Sequence, residues 1–280
     1  MNTGYENYVT QTGAMARGLY IDASSGSSYN RYRISTGNQF ASDTIHGSNS
    51  AWDVVKIEES STLHDSAFAN KSGMNELDLN ASSSVTLGDY AESAGFTKIY
   101  GSGGSDTVIQ TADDTLHLGI DVGGGNDYVL IATQAQFDND IADGFVSGGS
   151  GSDTLVIDET VILNDAFPSL DSFEGFGVGA NSAVTLAGNA RDAGIYTLIG
   201  GTGSNTITQT TSDTLHMVLD GSRGAAGNLF RIATPEILGN DTIIGGSGID
   251  TLFINSTSDN STYDSLLAHV QSVEAVSTSM

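Results

Sequence analysis

The residues with the clearest chemical potential are aspartates that each close a glycine-rich turn. Residues 148–156 read GGSGSDTLV, so glycines are followed by Asp153 and then by a run of β-branched and apolar residues. Glycine adopts positive φ without steric cost, which predicts a tight turn, and residues 154–157 have the composition of a strand. Turns and strands of this kind recur along the chain, and their repetition is the main signal in the sequence.

Composition narrows the class of protein and the kind of site. The 280 residues include 34 Asp and Glu against 9 Lys and Arg, and the net charge of −25 disfavours nucleic acid and anionic membranes as partners. Such a chain also repels itself, so we expect dispersed carboxylates, bound divalent cations or both. The absence of cysteine excludes disulfides, thiolate metal sites and cysteine nucleophiles. No apolar run approaches the ~18 residues of a membrane span, and we expect no Sec-type signal peptide.

The chain repeats itself at an interval of 99 residues. Gln11, Gln110 and Gln209 occupy the same place in three copies of a short strand and lie 99 residues apart. The copies cover approximately residues 1–100, 101–199 and 200–280, so there are nearly three of them. Because no linker separates the copies, we expect a single continuous domain over residues 1–280.

Within each copy, short apolar stretches lie between Gly, Asn, Asp and Ser, and helical periodicity is weak. Short helices are expected at residues 89–94 and 189–193, with a single helical turn at 164–170. A β-sandwich array and a β-solenoid both contain many short strands. The glycine-aspartate turns at Asp106, Asp127 and Asp153 follow one another by 21 and 26 residues, which suits one solenoid coil each. We therefore predict an all-β fold, a right-handed parallel β-solenoid with minor short helices.

Two stretches resemble the nonapeptide G-G-x-G-x-D-x-U-x of RTX, or haemolysin-type, calcium-binding repeats. Residues 148–156 and 245–253 fit fully, while residues 101–108, 123–129 and 200–207 each depart at one position. The family carries its nonapeptides in tandem, whereas here 14 or more residues separate the matches. The resemblance implies a diverged β-roll or β-solenoid, as in bacterial surface-layer proteins and large adhesins.

The resemblance also implies bound calcium. Calcium takes about six to eight oxygen ligands, and two stacked turns offer backbone carbonyls and carboxylates. The implied ligands are the motif glycines and aspartates: Gly101, Gly103, Asp106, Gly125, Asp127, Gly148, Gly149, Gly151, Asp153, Gly245, Gly246, Gly248 and Asp250. We expect few ions, concentrated in residues 101–158, and we expect the apolar residue after each aspartate to point into the core. The alternative is that these are plain turns whose aspartates cap backbone amides.

No catalytic constellation is visible in the sequence. There is neither a G-x-S-x-G nucleophile elbow nor an H-E-x-x-H zinc motif. His117 and His216 are 99 residues apart, which makes them part of the repeat pattern, and residues 113–114 are interpreted as a solvated turn. Three strand-end aspartates at the same interval are interpreted as turn caps, with a second calcium column as the alternative: Asp22, Asp121 and Asp220.

These observations predict a non-enzymatic, extracellular structural or adhesive protein. A calcium-stabilised solenoid without visible capping segments is expected to assemble end to end or laterally into a surface layer, filament, or virion or cell-surface appendage. The partners expected are other copies of the chain and a cell-surface polysaccharide, and the resemblance implies type I secretion. Two alternatives remain open. One is the repeat portion of a larger secreted enzyme, and the other is a glycan-binding module that uses Tyr29, Tyr32, Tyr128 or Trp52.

Overall fold

The computed structural model describes residues 7–12, 18–48, 51–111, 117–165, 167, 169–210, 216–255 and 265–278. They fall into two compact units, divided in sequence between Asp153 and Thr154. Short strands paired in parallel dominate both units, and the helices are few and short. The predicted all-β class with parallel sheets is therefore confirmed.

The first unit contains the following strands: β1 (Asn7–Gln11), β2 (Tyr20–Asp22), β3 (Asn30–Ile34), β4 (Thr44–His46), β5 (Asp53–Ile57), β6 (Thr62–Leu63), β7 (Lys71–Ser72), β8 (Glu76–Leu79), β9 (Ser84–Leu87), β10 (Lys98–Tyr100), β11 (Thr107–Gln110), β12 (Gly119–Asp121), β13 (Gly124–Gly125), β14 (Tyr128–Ile131), β15 (Val146–Ser147) and β16 (Ser150–Gly151). Its helices are α1 (Gly37–Ser42), α2 (Asp89–Ala94) and α3 (Gln134–Asp143), with a 3-10 turn at Asp65–Phe68.

Four parallel sheets organise these strands. Their orders are β1-β3-β5-β8-β10-β12-β15, β6-β9-β11-β14, β2-β4-β7 and β13-β16. Each strand pairs with one that lies 21–26 residues further along the chain. For example, Ile34 pairs with Ile57, and Ile57 pairs with Leu79. The chain therefore returns to the same sheet after about the interval that separates the glycine-aspartate turns.

The second unit contains the following strands: β17 (Thr154–Ile157), β18 (Ile162–Asn164), β19 (Leu170–Asp171), β20 (Gly175–Val178), β21 (Ala183–Leu186), β22 (Thr197–Ile199), β23 (Thr206–Gln209), β24 (Val218–Asp220), β25 (Leu229–Ile232), β26 (Thr242–Ile244), β27 (Thr251–Ile254), β28 (Val270–Gln271) and β29 (Ala275–Thr278). Its helices are α4 (Gly188–Asp192) and α5 (Pro235–Leu238), with a 3-10 turn at Leu266–His269. Its strands form two parallel sheets, ordered β17-β20-β22-β24-β26-β28 and β18-β21-β23-β25-β27-β29.

The core of each unit is formed by strands in which buried side chains alternate with more exposed ones. Successive side chains of a strand point to opposite faces, so every second residue is buried, as in β9, β11 and β14. The apolar residues after the motif aspartates were predicted to point inward, and all four are 0% exposed: Val108, Val129, Leu155 and Leu252. The same alternation buries Tyr32, which is 1% exposed. The suggestion that Tyr32 is a surface aromatic was therefore wrong.

The helices were predicted only in part. The helices expected at 89–94 and 189–193 are present as α2 and α4. At the expected helical turn, Asn164 instead ends β18, and positions 166 and 168 lie outside the described residues. Helices α1, α3 and α5 were not predicted, although each follows a threonine N-cap. The Thr-x-x-Gln capping boxes of Thr36 and Thr133 are a local signal that could have indicated two of them.

Candidate calcium sites at the glycine-aspartate turns

The predicted calcium ligands of the first unit lie in neighbouring turns. Because β11 and β14 pair in parallel, the aspartates that precede them are neighbours, and the third aspartate lies beside the second. The structure brings Asp106, Asp127 and Asp153 together in one column. All three are buried, with 2%, 3% and 1% of their surface exposed.

Each of these aspartates accepts a hydrogen bond from the backbone of the preceding turn. Oδ1 of Asp106 accepts from the N–H of Ser83 at 2.6 Å. Oδ1 of Asp127 accepts from the N–H of Asp106 at 2.6 Å, and Oδ1 of Asp153 accepts from the N–H of Asp127 at 2.7 Å. We call this series the aspartate ladder. Buried backbone amides require partners, so the aspartates act as amide caps whether or not they also bind a cation.

The second carboxylate oxygens of the ladder have different surroundings. Oδ2 of Asp106 accepts from the N–H and the hydroxyl of Ser102, at 2.7 and 2.8 Å. Oδ2 of Asp127 is buried and accepts no hydrogen bond from a described donor. Burial, followed by the negative charges of Asp153 and Asp106, raises the pKa of Asp127 to about 6. The middle of the ladder therefore combines excess negative charge with an available oxygen.

The glycines allow the turns to stack closely. Gly151 has a φ of +141°, and a Cβ built there would collide with the carbonyl oxygen of Gly125. A Cβ built at Gly149, which has a φ of +84°, would likewise collide with the carbonyl oxygen of Gly123. A Cβ at Gly103, in contrast, would have no neighbour within 4 Å. Close stacking of residues 123–125 and 149–151 thus requires glycine, independently of any metal.

The predicted ligands of the second unit form the turn that leads into β27: Gly245, Gly246, Gly248 and Asp250. Oδ1 of Asp250 accepts from the N–H and the side-chain amide of Asn228, at 2.6 and 2.8 Å. Its Oδ2 accepts from the N–H of Gly246 at 2.7 Å. Asn228 in turn accepts the N–H of Asn205 at 3.0 Å, so asparagine takes the place of aspartate in this ladder.

The donor sets differ in how well they suit calcium. Among the described residues, no three acidic or histidine side chains come together as a metal-ligating group. Both oxygens of Asp106 and of Asp250 already accept hydrogen bonds. The Asp127 turn fits a cation better, because it supplies a buried carboxylate oxygen beside glycine turns whose carbonyls are hard ligands.

Sequence analysis missed further aspartates that cap backbone amides of a neighbouring strand or helix. Oδ1 of Asp65 accepts from the N–H groups of Gly88 and Ala91, and Oδ2 accepts from that of Tyr90, at the start of α2. Asp165 caps α4 in the same way. The two aspartates lie 100 residues apart in the sequence, and that recurrence could have identified them.

Several weaker sequence candidates have structural roles. Asp22, Asp121 and Asp220 each accept the backbone N–H two residues later, at 3.0, 3.1 and 2.8 Å, so the turn-cap interpretation is confirmed. Nδ1 of His216 lies 2.6 Å from the carbonyl oxygen of Asn240. The pair at positions 113–114 lies outside the described residues.

No protein-family model matches the chain, and no match was found among curated proteins or solved structures. In the part of the chain that the structure describes, no helix is long and apolar enough to cross a membrane.

Proposed function

We propose that the chain is a non-enzymatic, extracellular structural or adhesive protein, built as a right-handed parallel β-solenoid of nearly three 99-residue repeats. The observation that carries this proposal is the uniform parallel pairing of each strand with one about 21–27 residues further along, in both units. Ladders of Asp and Asn side chains support it, because they bond each turn to the next. A single continuous body over residues 1–280 stays a prediction.

Calcium would stiffen this scaffold at the Asp127 turn. Oδ2 of Asp127 is the oxygen that would contact the ion, together with carbonyls of the adjoining glycine turns. A bound divalent cation would neutralise the charge shared by Asp106, Asp127 and Asp153. Thermal melting with calcium and with a chelator tests this step, and an equal melting temperature in the two buffers would contradict it.

Self-assembly would use an apolar sheet edge in the second unit. β29 pairs with β27, and no described strand pairs with its other edge. Val276 lies in the same inward column as Phe230 and Leu252, yet it is 48% exposed while they are 0% exposed. An apolar sheet edge that no described strand covers is a template for strand addition, and a second copy of the chain is the proposed occupant.

Light scattering and electron microscopy at micromolar protein concentration test the assembly. Polymers are expected to grow with protein concentration and with calcium. The variant Val276→Glu should prevent them, because it places a charge on the uncovered edge. Tyr196→Glu is the matched control, since Tyr196 is 43% exposed in the same unit but lies away from that edge. A monomer at all concentrations, with and without calcium, would contradict self-assembly.

A further inference from the structure

A cleft at one corner of the first unit is lined by the turn that leads into β5 at Asp53, and not by the aspartate ladder. The corner joins the β2-β4-β7 sheet to the β3-β5-β8 sheet. Its connections are residues 23–29, then 47–52, then only 73–75. Gly73, with a φ of +67°, permits the shortest of these turns. Residues from all three connections line an open space beside the short turn, among them Tyr29, Trp52 and Asn75.

The cleft consists of two recesses of about 500 and 220 Å³ that share Tyr29 and Trp52. The larger is lined by the short turn, including Met74 and Asn75. The smaller recess has Val54 as an apolar lining residue. Val54 is only 5% exposed, although the residues paired with it on the two adjacent strands, Arg31 and Glu76, are polar. Their combined size is within the range of sites for small ligands.

The aromatic residues of the cleft are held and exposed in ways that suit binding. The indole Nε1 of Trp52 donates to Oε2 of Glu76 at 2.9 Å, and Nζ of Lys98 lies 5.1 Å from the indole ring centroid. These contacts hold the indole ring in place, and the Trp52 side chain is half-buried. Tyr29 is 49% exposed, so its ring offers an apolar face to a ligand.

The charged groups at the cleft balance one another. Arg31 lines the smaller recess, where its positive charge also acts on the carboxyl of Asp78, and its guanidinium is the cationic donor that a ligand in this recess would meet. Glu76 accepts the Trp52 hydrogen bond and retains further acceptor capacity. In a chain of net charge −25, a locally balanced cleft disfavours polyanions and suits a neutral ligand with many hydroxyls.

We propose that this cleft binds a neutral saccharide, with a sugar ring against Tyr29 and Trp52 and with hydroxyls bonded to Arg31 and Glu76. Aromatic faces pack against the apolar faces of a sugar ring, while the charged side chains at the rim form directional hydrogen bonds to its hydroxyls. The proposal depends on neither calcium nor self-assembly, so its outcome is separate from that of the proposed function.

The chain has a single tryptophan, Trp52, so emission excited at wavelengths that its ten tyrosines do not absorb reports on this cleft alone. The probes are hexasaccharides of cellulose, xylan and chitin, with oligogalacturonate as the anionic comparison. A saturable change in Trp52 emission is expected with at least one neutral probe. Tyr29→Ala and Arg31→Ala should each weaken that binding about three- to tenfold. Tyr90→Ala is the matched control, because Tyr90 is also 49% exposed but lies outside the cleft.

Calorimetry of the same probes gives a second measurement that does not depend on fluorescence, and circular dichroism confirms that each variant is folded. The proposal is overturned if none of the neutral probes binds by either method. It is also overturned if oligogalacturonate binds more tightly than every neutral probe, or if Tyr29→Ala and Tyr90→Ala weaken binding equally.

Discussion

Replacing Asp127 by asparagine is expected to stabilise the protein at neutral pH when calcium is absent. The wild-type carboxylate is buried beside Asp106 and Asp153, and its Oδ2 accepts no hydrogen bond from a described donor. Asparagine removes the charge and keeps an oxygen for the N–H of Asp106. The equivalent position of the next repeat already holds Asn228, whose side-chain amide donates to Asp250 at 2.8 Å.

The size of the stabilisation expected from Asp127→Asn follows from the pKa of Asp127. Burial, together with the charges of Asp153 and Asp106, raises this pKa from 3.8 to about 6. The folded state therefore binds the proton more tightly than the unfolded state does. The contribution of Asp127 to stability is therefore most favourable below pH 3.8, falls as the pH rises from 3.8 to about 6, and is lower above that range. A shift of this size corresponds to about 3 kcal/mol in the free energy of unfolding.

Urea unfolding followed by circular dichroism measures the effect, in chelator, at about pH 4 and about pH 7.5. Asp127→Asn should raise the free energy of unfolding by about 2–3 kcal/mol at the higher pH and change it little at the lower pH. Added calcium should stabilise the wild-type chain and not this variant. A variant that is no more stable than wild type at about pH 7.5 in chelator would refute the reasoning.

Asp106→Asn is the matched control, because Asp106 is buried in the same ladder but has both oxygens occupied. Its carboxylate accepts from the N–H of Ser83 and from the N–H and hydroxyl of Ser102. An asparagine has only one side-chain oxygen, so its NH₂ group would face the donors of either Ser83 or Ser102, and one of these donors would lose its acceptor. This variant should therefore lose about 1–3 kcal/mol of stability.

Three further substitutions, one of them a control, test the packing and capping of the first unit by urea unfolding. Gly151→Ala should cost more than about 2 kcal/mol, because it strains a φ of +141° and drives a Cβ into the carbonyl oxygen of Gly125. Gly103→Ala has open space and should change stability by less than about 1 kcal/mol, so equal effects of the two changes would contradict the stacking argument. Asp65→Ala should cost about 1–2 kcal/mol, because three backbone N–H groups at the start of α2 lose their acceptor. An unchanged unfolding midpoint would show that solvent replaces this cap.

The parts of the candidate site that could be predicted are those with a local cause. The positions of the turns followed from glycine, and the inward direction of Val108, Val129 and Leu155 followed from alternation along a strand. The bonding of the aspartates could not be assigned. Asp127 accepts from a backbone amide 21 residues earlier, and nothing in the nonapeptide distinguishes this bond from a calcium contact. The exposed or buried state of tyrosines also depended on register, which is why Tyr32 was misassigned.

The amino-acid sequence by itself determined the strand-rich class, the repeat interval and the turns, because backbone preference and side-chain alternation act over a few residues. Only the tertiary structure decided which carboxylate oxygens are already occupied, since the donors to Oδ1 of Asp106, Asp127 and Asp153 lie on neighbouring turns more than 20 residues away. It also decided that Trp52 and Tyr29 line a cleft, because the residues that line that space come from three successive connections far apart in the sequence. Local chemistry specified the elements, and the stacking of successive turns specified which of their polar atoms remain available.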